Sequence, residues 1–425
     1  MIAFESLMHW LGAEAAACVA AVGIAFVGAW LIGYPVRRLA FRIGAVDLPG
    51  GRRVHRRPTA RLGGVAVALG VVLGVATLVA FGSIPALPAL PIVALAGFVC
   101  LLGAIDDVRS LSPAAKVVGL AAAGLALAAF GVRIELIDVP GVGRFELGAL
   151  AIPATVIWVV ACANALNLID GVDGAGSGVA TIAAGVLAAI AFATGDLAMA
   201  IVLGATAGGA AGFLLHNRQP ARMFLGDSGS LMLGFLLAAA SAAGCTKRAA
   251  AVTLVAALAA LAVPFLDSVQ SFVRRFVRAF RERGPRRLRR ALRATTVADR
   301  AHIHHRLLTH GLSHRQVARV LCAVTLLTGT TALLVVASDT ASRLGLIGGL
   351  AAGSFALYRL ASMRDALAEP VVVLPVVATT LHPVPPKPRG APEPTVEIPL
   401  PVGGAAGVPR ETFRESPQAP VPTRR

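Results

Sequence analysis

"GGVAVALGVVLGVATLVAFG", residues 63–82, contains no charged side chain, and its reading decides the fold. A hydrocarbon core about 30 Å thick is crossed by roughly 20 helical residues, so this stretch reads as a membrane-spanning helix. Similar runs lie near 12–35, 87–105, 114–131, 150–168, 175–194, 197–215, 227–245, 249–272, 317–338 and 342–362. Composition agrees. The 425 residues are 56% hydrophobic and 14% charged, with a mean hydropathy of +0.77, which excludes a chain of ordinary soluble domains. The expected fold is an all-α polytopic membrane bundle of about eleven transmembrane helices.

Working outward, the run is preceded by "AVDLPGGRRVHRRPTARLGG" (45–64), which is rich in arginine. The formal charge of +17 collects mainly in two such segments, Arg37 to Arg61 and Arg274 to Arg315. The positive-inside rule places both in the cytoplasm. Eleven spans then put the N-terminus outside and the C-terminus in the cytoplasm of a multi-pass inner (plasma) membrane protein. Basic flanks suit an anionic leaflet, so the bilayer is the expected partner and nucleic acid is not. The opening "MIAFESLMHW" lacks the basic start and small-residue cleavage site of a signal peptide, so the first span is expected to remain as a helix. Cys18, Cys100, Cys162, Cys245 and Cys322 lie in or beside spans without CxxC spacing, and read as small core residues.

Beyond residue 364 the composition changes, with 14 of the 26 prolines in 365–425. That segment is expected to be a disordered cytoplasmic tail. Residues 1–364 form the membrane domain, with cytoplasmic loops at 36–62, 106–113, 164–174, 216–226 and 273–316.

Hydrocarbon makes polar residues costly, so the strings that concentrate them mark the candidate site. Five do so: 45–64, "LGAIDDVRSLSPAAK" (102–116), "NALNLIDGVDGAGSG" (164–178), "MFLGDSGS" (223–230) and "ADRAHIHHRLL" (298–308). The expected topology puts all five on the cytoplasmic face. Asp106 and Asp107 end a span, where the helix dipole disfavours acids, and point about 100° apart, which suits two roles better than one shared ion. Lys116 is one of only three lysines among 39 basic residues, and its compact ammonium suits a phosphate. Asn164, Asn167, Asp170 and Asp173 recur every three residues along one stripe that runs into a glycine-rich turn, a pattern able to hold a hard cation or a nucleotide phosphate. In "FLGDSGS" a helix N-terminus with exposed N–H groups would attract an anion, and Asp227 beside it suggests carboxylate, Mg2+ and phosphate in line; a simple N-cap is the rival. His302, His304 and His305 fit zinc spacing poorly, leaving a solvated basic helix or imidazoles that donate to phosphate.

Together the strings resemble one family across roughly residues 36–315: the polyprenyl-phosphate N-acetylhexosamine-1-phosphate transferases, of glycosyltransferase family 4 type. "VDLPGGRRVH", "PTARLGG" and "HIHH" resemble the undecaprenyl-phosphate N-acetylglucosamine branch more than the phospho-MurNAc-pentapeptide transferases of peptidoglycan synthesis. The resemblance implies a Mg2+-dependent transfer of N-acetylhexosamine 1-phosphate, most simply GlcNAc 1-phosphate, from a UDP-sugar to polyprenyl phosphate. UMP is released and the lipid-linked first intermediate of an envelope polysaccharide forms. Mn2+ is a workable substitute ion and a homodimer an admissible assembly.

By the same resemblance Asn167 and Asp227 hold the metal, while Asp173 and Phe224 lie near the uridine with Phe224 stacking on uracil. Asp106 and Asp107 handle the lipid phosphate, His304 and His305 contact the diphosphate, and Arg53 and His55 line the cleft. Asn164 joins the substrate-binding set. Lys116, Asp170 and His302 join the catalytic set. From a different class, an ion-coupled transporter would place its acids near the bilayer midplane rather than at one face. The D-G-x2-A-R spacing of the CDP-alcohol phosphatidyltransferases is absent.

Overall fold

The computed structural model describes residues 2–48, 58–139, 143–244, 265 and 303–337. The chain separates into two units, Met1–Leu367 and Ala368–Arg425, and every described residue belongs to the first. The proline-rich tail, the expected span at 342–362 and all but residue 265 of the expected span at 249–272 lie outside the described residues.

Ten helices carry the fold among the described residues. They are α1 (Ile2–Ile43), α2 (Gly63–Ala80), α3 (Ala86–Arg109), α4 (Pro113–Ala129), α5 (Ala151–Ile169), α6 (Ala175–Ala193), α7 (Leu197–Asn217), α8 (Gly226–Gly244), α9 (Ile303–Thr309) and α10 (His314–Ala337). Strands β1 (Val46–Asp47) and β2 (Thr59–Ala60) form one antiparallel pair, and β3 (Leu136–Val139) and β4 (Gly143–Glu146) another. These two small ladders qualify the all-α expectation.

Among the described residues eight helices are long and apolar enough to cross a membrane. The ninth expected span there, 114–131, is the 17-residue α4, shorter than the others. Its start is fixed locally: Ser112 Oγ accepts the Ala115 N–H at 3.2 Å, and Pro113, which has no N–H to satisfy, opens the helix. Asp196 caps α7 by accepting the Met199 N–H at 3.3 Å.

The core of the bundle lies around α7 and α8, whose apolar windows are 83% and 89% buried against 17% for α1. The first two are therefore enclosed by protein, whereas α1 packs on α7 and α2 and leaves its remaining surface exposed. Helix α7 packs on α1, α2 and α6, while α8 packs on α3 and α5. Cys18, Cys100, Cys162 and Cys322 are free thiols, as the spacing suggested.

Candidate active site

The α3 C-terminus, the α4 N-terminus, the α5 C-terminus and the N-termini of α6 and α8 meet at one end of the bundle. Asp106 and Asp107 point to different partners. Lys116 Nζ lies 3.2 Å from Asp106 Oδ2 and 2.8 Å from Asp227 Oδ2, which joins three elements through one ammonium. Asp106 Oδ1 accepts the Leu111 N–H.

Asp107 turns the other way and is buried. Its Oδ1 accepts the Asp227 N–H at 3.0 Å and its Oδ2 the Ser228 N–H at 3.1 Å, so a carboxylate from α3 caps α8. This changes the expectation of a helix end offering its donors to an anion, because those two N–H groups are already satisfied. Asp227 is not its own helix's cap either. Two glycines make the approach possible. Gly226 has φ +72°, and a Cβ there would collide with Asp107 Oδ2. At Gly103 a Cβ would collide with the Asp227 carbonyl oxygen. Arg61 stands 4.0 Å from Asp107 Oδ1 and offsets part of its charge.

The asparagine and aspartate stripe divides. Asn167 Oδ1 accepts a hydrogen bond from Ser230 Oγ at 2.7 Å, which draws α5 to α8 beside Asp227. Asn164 donates to the Val160 carbonyl at 2.8 Å within its own helix. Asp170 closes α5 and leans over the start of α6, where a Cβ at Gly176 would collide with Asp170 Oδ1. Burial raises the Asp170 pKa well above the usual carboxylate range, and the carboxylates of Asp227, Asp107 and Asp173 add to the effect while Arg61 opposes it. Asp173 Oδ2 accepts the Ala221 N–H at 3.0 Å and ties the 170s turn to the segment before Asp227.

Phe224 is held by its backbone. Its N–H donates to the Ala60 carbonyl at 2.8 Å, and its carbonyl accepts the Gly63 N–H at 3.1 Å. The string 45–64 thus reaches the site through β2 and the α2 N-terminus. Arg53, His55 and His302 lie outside the described residues; His304 and His305 fall on α9, with their side chains outside the described set. The start of α10 does touch the site: Arg315 donates from Nε and Nη2 to the Gln219 carbonyl at 3.2 and 2.9 Å.

Asn217 was not among the expected site residues. It is buried at the end of α7. Its Oδ1 accepts the Gly174 N–H at 3.0 Å and the Ser177 hydroxyl at 2.8 Å, and its Nδ2 donates to the Met223 carbonyl at 3.1 Å. A polar "HN" at 216–217 ending a long apolar run, just before "RQP", was the available signal.

Five carboxylates, Asp106, Asp107, Asp170, Asp173 and Asp227, therefore converge, with Lys116 and Arg61 supplying opposing charge. Among the described residues no group of three His, Cys, Asp or Glu side chains could hold a metal by itself. Asp227 and Asn167 offer one carboxylate and one amide oxygen, a donor set that would suit a Mg2+ ion completed by substrate phosphates, since that ion is commonly held by one or two carboxylates with phosphate oxygens.

The glycosyl transferase family 4 model matches residues 89–244, which contain most of α3, all of α4 to α8 and the whole Asp106–Asp227 cluster. The chain is also similar to a probable undecaprenyl-phosphate N-acetylglucosaminyl 1-phosphate transferase of Bacillus subtilis, 34% identical over 66% of this chain and 74% of the relative. The chain belongs to glycosyl transferase family 4. A second family 4 relative, the decaprenyl-phosphate N-acetylglucosaminephosphotransferase of Mycobacterium tuberculosis, is 37% identical over 68% of this chain and 74% of its own. The phospho-N-acetylmuramoyl-pentapeptide-transferase of Lactiplantibacillus plantarum is 44% identical, but over only 24% of this chain and 32% of its own. The longer similarities thus favour the N-acetylglucosamine branch, as the motifs do.

Proposed function

We propose that this protein transfers N-acetylglucosamine 1-phosphate from UDP-N-acetylglucosamine to a polyprenyl phosphate at the cytoplasmic face of the membrane. An oxygen of the polyprenyl phosphate attacks the sugar-bearing phosphorus. The bond to the bridging oxygen breaks, UMP departs with that oxygen, and polyprenyl diphosphate-N-acetylglucosamine stays in the membrane.

The observation that carries this reading is the Asp106–Lys116–Asp227 arrangement at the mouth between α3, α4 and α8, inside a membrane bundle. Three anions must meet in this reaction, so positioning and charge compensation dominate over covalent chemistry. Mg2+ held by Asp227 and Asn167 would supply charge neutralisation at the diphosphate. Asp106, fixed by the Leu111 N–H, orients the acceptor; a phosphate monoester with a second pKa near 6 is already largely ionised at pH 7 and needs little help from a base. Asp107 acts through α8, as a positioning residue. Phe224 is assigned to the uracil, and His304 and His305, on α9, to the diphosphate, as the motifs imply. The acids sit at helix ends, where phosphates can reach them, which argues against a midplane ion pathway.

Membranes containing the protein, incubated with labelled UDP-N-acetylglucosamine, polyprenyl phosphate and Mg2+, should form a lipid-linked sugar phosphate with stoichiometric UMP. Absence of a lipid product with every UDP-N-acetylhexosamine would overturn the proposal. Product only from the MurNAc-pentapeptide donor would move the chain to the other branch.

A further inference from the structure

Lys116 occupies ground that the proposed chemistry also needs. Its ammonium touches Asp227 Oδ2 at 2.8 Å and Asp106 Oδ2 at 3.2 Å, and is only partly exposed. The Asp106 carboxylate and the Asp227 backbone are both anchored. Asp106 Oδ1 accepts the Leu111 N–H, and Asp227 stands on the first turn of α8, whose N–H groups Asp107 holds. The two acids, placed by α3 and α8, lie against each other, and the lysine bridges them from α4.

A Mg2+ ion binds carboxylate oxygens at about 2.0–2.1 Å and tolerates little distortion of its octahedron. An ammonium in contact with the same oxygen would stand beside that ion, where like charges repel. On Oδ2, the oxygen the lysine holds, the two cations compete. Lysine is suited to yield, because its charge rides on a flexible four-carbon stem and makes no fixed bidentate fork.

We propose that Lys116 is a tethered counter-ion of the acid cluster, which a divalent cation must displace from Asp227, so that metal loading and release of the ammonium are one event. The proposal rests on the reading that Asp227 binds the metal. In the unloaded state the lysine keeps facing acids from repelling one another. In the loaded state the metal takes over that compensation, and the freed ammonium turns to incoming anions. By reciprocity, whatever weakens the lysine's hold on Asp227 strengthens the metal's.

The test uses the full-length protein in detergent. Because the chain contains only Lys116, Lys247 and Lys387, brief labelling with an amine-reactive acyl reagent can be read by peptide mass with a built-in reference. Mg2+ should raise labelling of Lys116 several-fold relative to Lys387, and Asp227→Asn should abolish that rise. In parallel, Lys116→Met should bind Mn2+ roughly tenfold more tightly than wild type, measured by calorimetry or spin resonance, while losing turnover. A flat or falling Lys116 ratio in wild type, or unchanged or weaker Mn2+ binding by Lys116→Met, would overturn the counter-ion proposal. The two readings fail separately: Mn2+ binding that survives Asp227→Asn removes the metal from Asp227, whereas Asp227-dependent binding with unaltered Lys116 labelling removes only the counter-ion. Should Lys116→Met not fold, the wild-type labelling decides alone.

Discussion

Helices α6 and α8 begin alike and are held differently. Each is entered through a glycine with positive φ, Gly174 at +77° and Gly226 at +72°, and each has donors at its entrance satisfied by a side chain from another helix. For α6 that side chain is the neutral amide of Asn217; for α8 it is the buried carboxylate of Asp107. A carboxylate makes stronger hydrogen bonds and complements the positive end of the helix dipole, at the cost of burying charge. The amide also donates, and Asn217 uses this to bind Met223 and so join the two helix entrances. The neutral cap braces the site, and the charged one sets the potential around Asp227.

The sharpest break comes from Asp227 itself, which only the α8 entrance carries. Asp227→Asn should lower turnover by on the order of 10³ and remove the Mg2+ response together, measured as lipid-linked product against Mg2+ concentration. Loss of rate with an unchanged Mg2+ response would leave the two entrances chemically equivalent.

Exchanging the cap chemistries tests the comparison directly. Asp107→Asn turns an amide NH2 toward the Ser228 N–H, and should cost about 3 kcal/mol in thermal or denaturant unfolding of the detergent-solubilised protein. Asn217→Asp buries a charge and loses the bond to Met223, for about 2 kcal/mol. Equal tolerance of both changes would show that the charge at α8 is incidental. A smaller effect concerns pH. Asp170 keeps its proton in the folded protein above the range where the unfolded side chain titrates, near about 3.9. Stability therefore falls as pH rises from that value until the folded carboxyl ionises, and Asp170→Asn should flatten the slope. Smallest is Arg315→Ala, where an exposed link to Gln219 should be worth no more than about 1 kcal/mol; a larger loss would make the α9–α10 segment a third brace.

Much of this was legible in sequence, for physical reasons. Apolar runs such as 63–82 announce themselves because a bilayer imposes length and composition on any segment that crosses it. The strings around Asp106, Asn167 and Asp227 stood out because polar residues are scarce in such a chain. Asp107 was singled out but its role was hidden, since its hydrogen-bond partners lie 120 and 121 residues away and no local spacing encodes that. Local reasoning expected the α8 N–H groups to be open to an anion for the same reason. Asn217 escaped because its importance comes from making three bonds to two different segments. The eleven-span expectation meets eight helices of crossing length among the described residues, with α4 short and two runs, residue 265 apart, outside them.

The brevity of α4 bears on how the membrane meets the protein. At 1.5 Å per residue its 17 residues reach about 26 Å, less than the roughly 30 Å of an average hydrocarbon core. Its exposed Val117, Val118 and Leu125 face outward beside the residue that carries the site's ammonium. A helix shorter than the hydrocarbon core can be accommodated by local thinning, which would bring headgroups inward along that flank. A lipid phosphate diffusing along α4 would then arrive near the level of Lys116 with its chain still in the bilayer, and acyl-chain length would become a control on how often it does so.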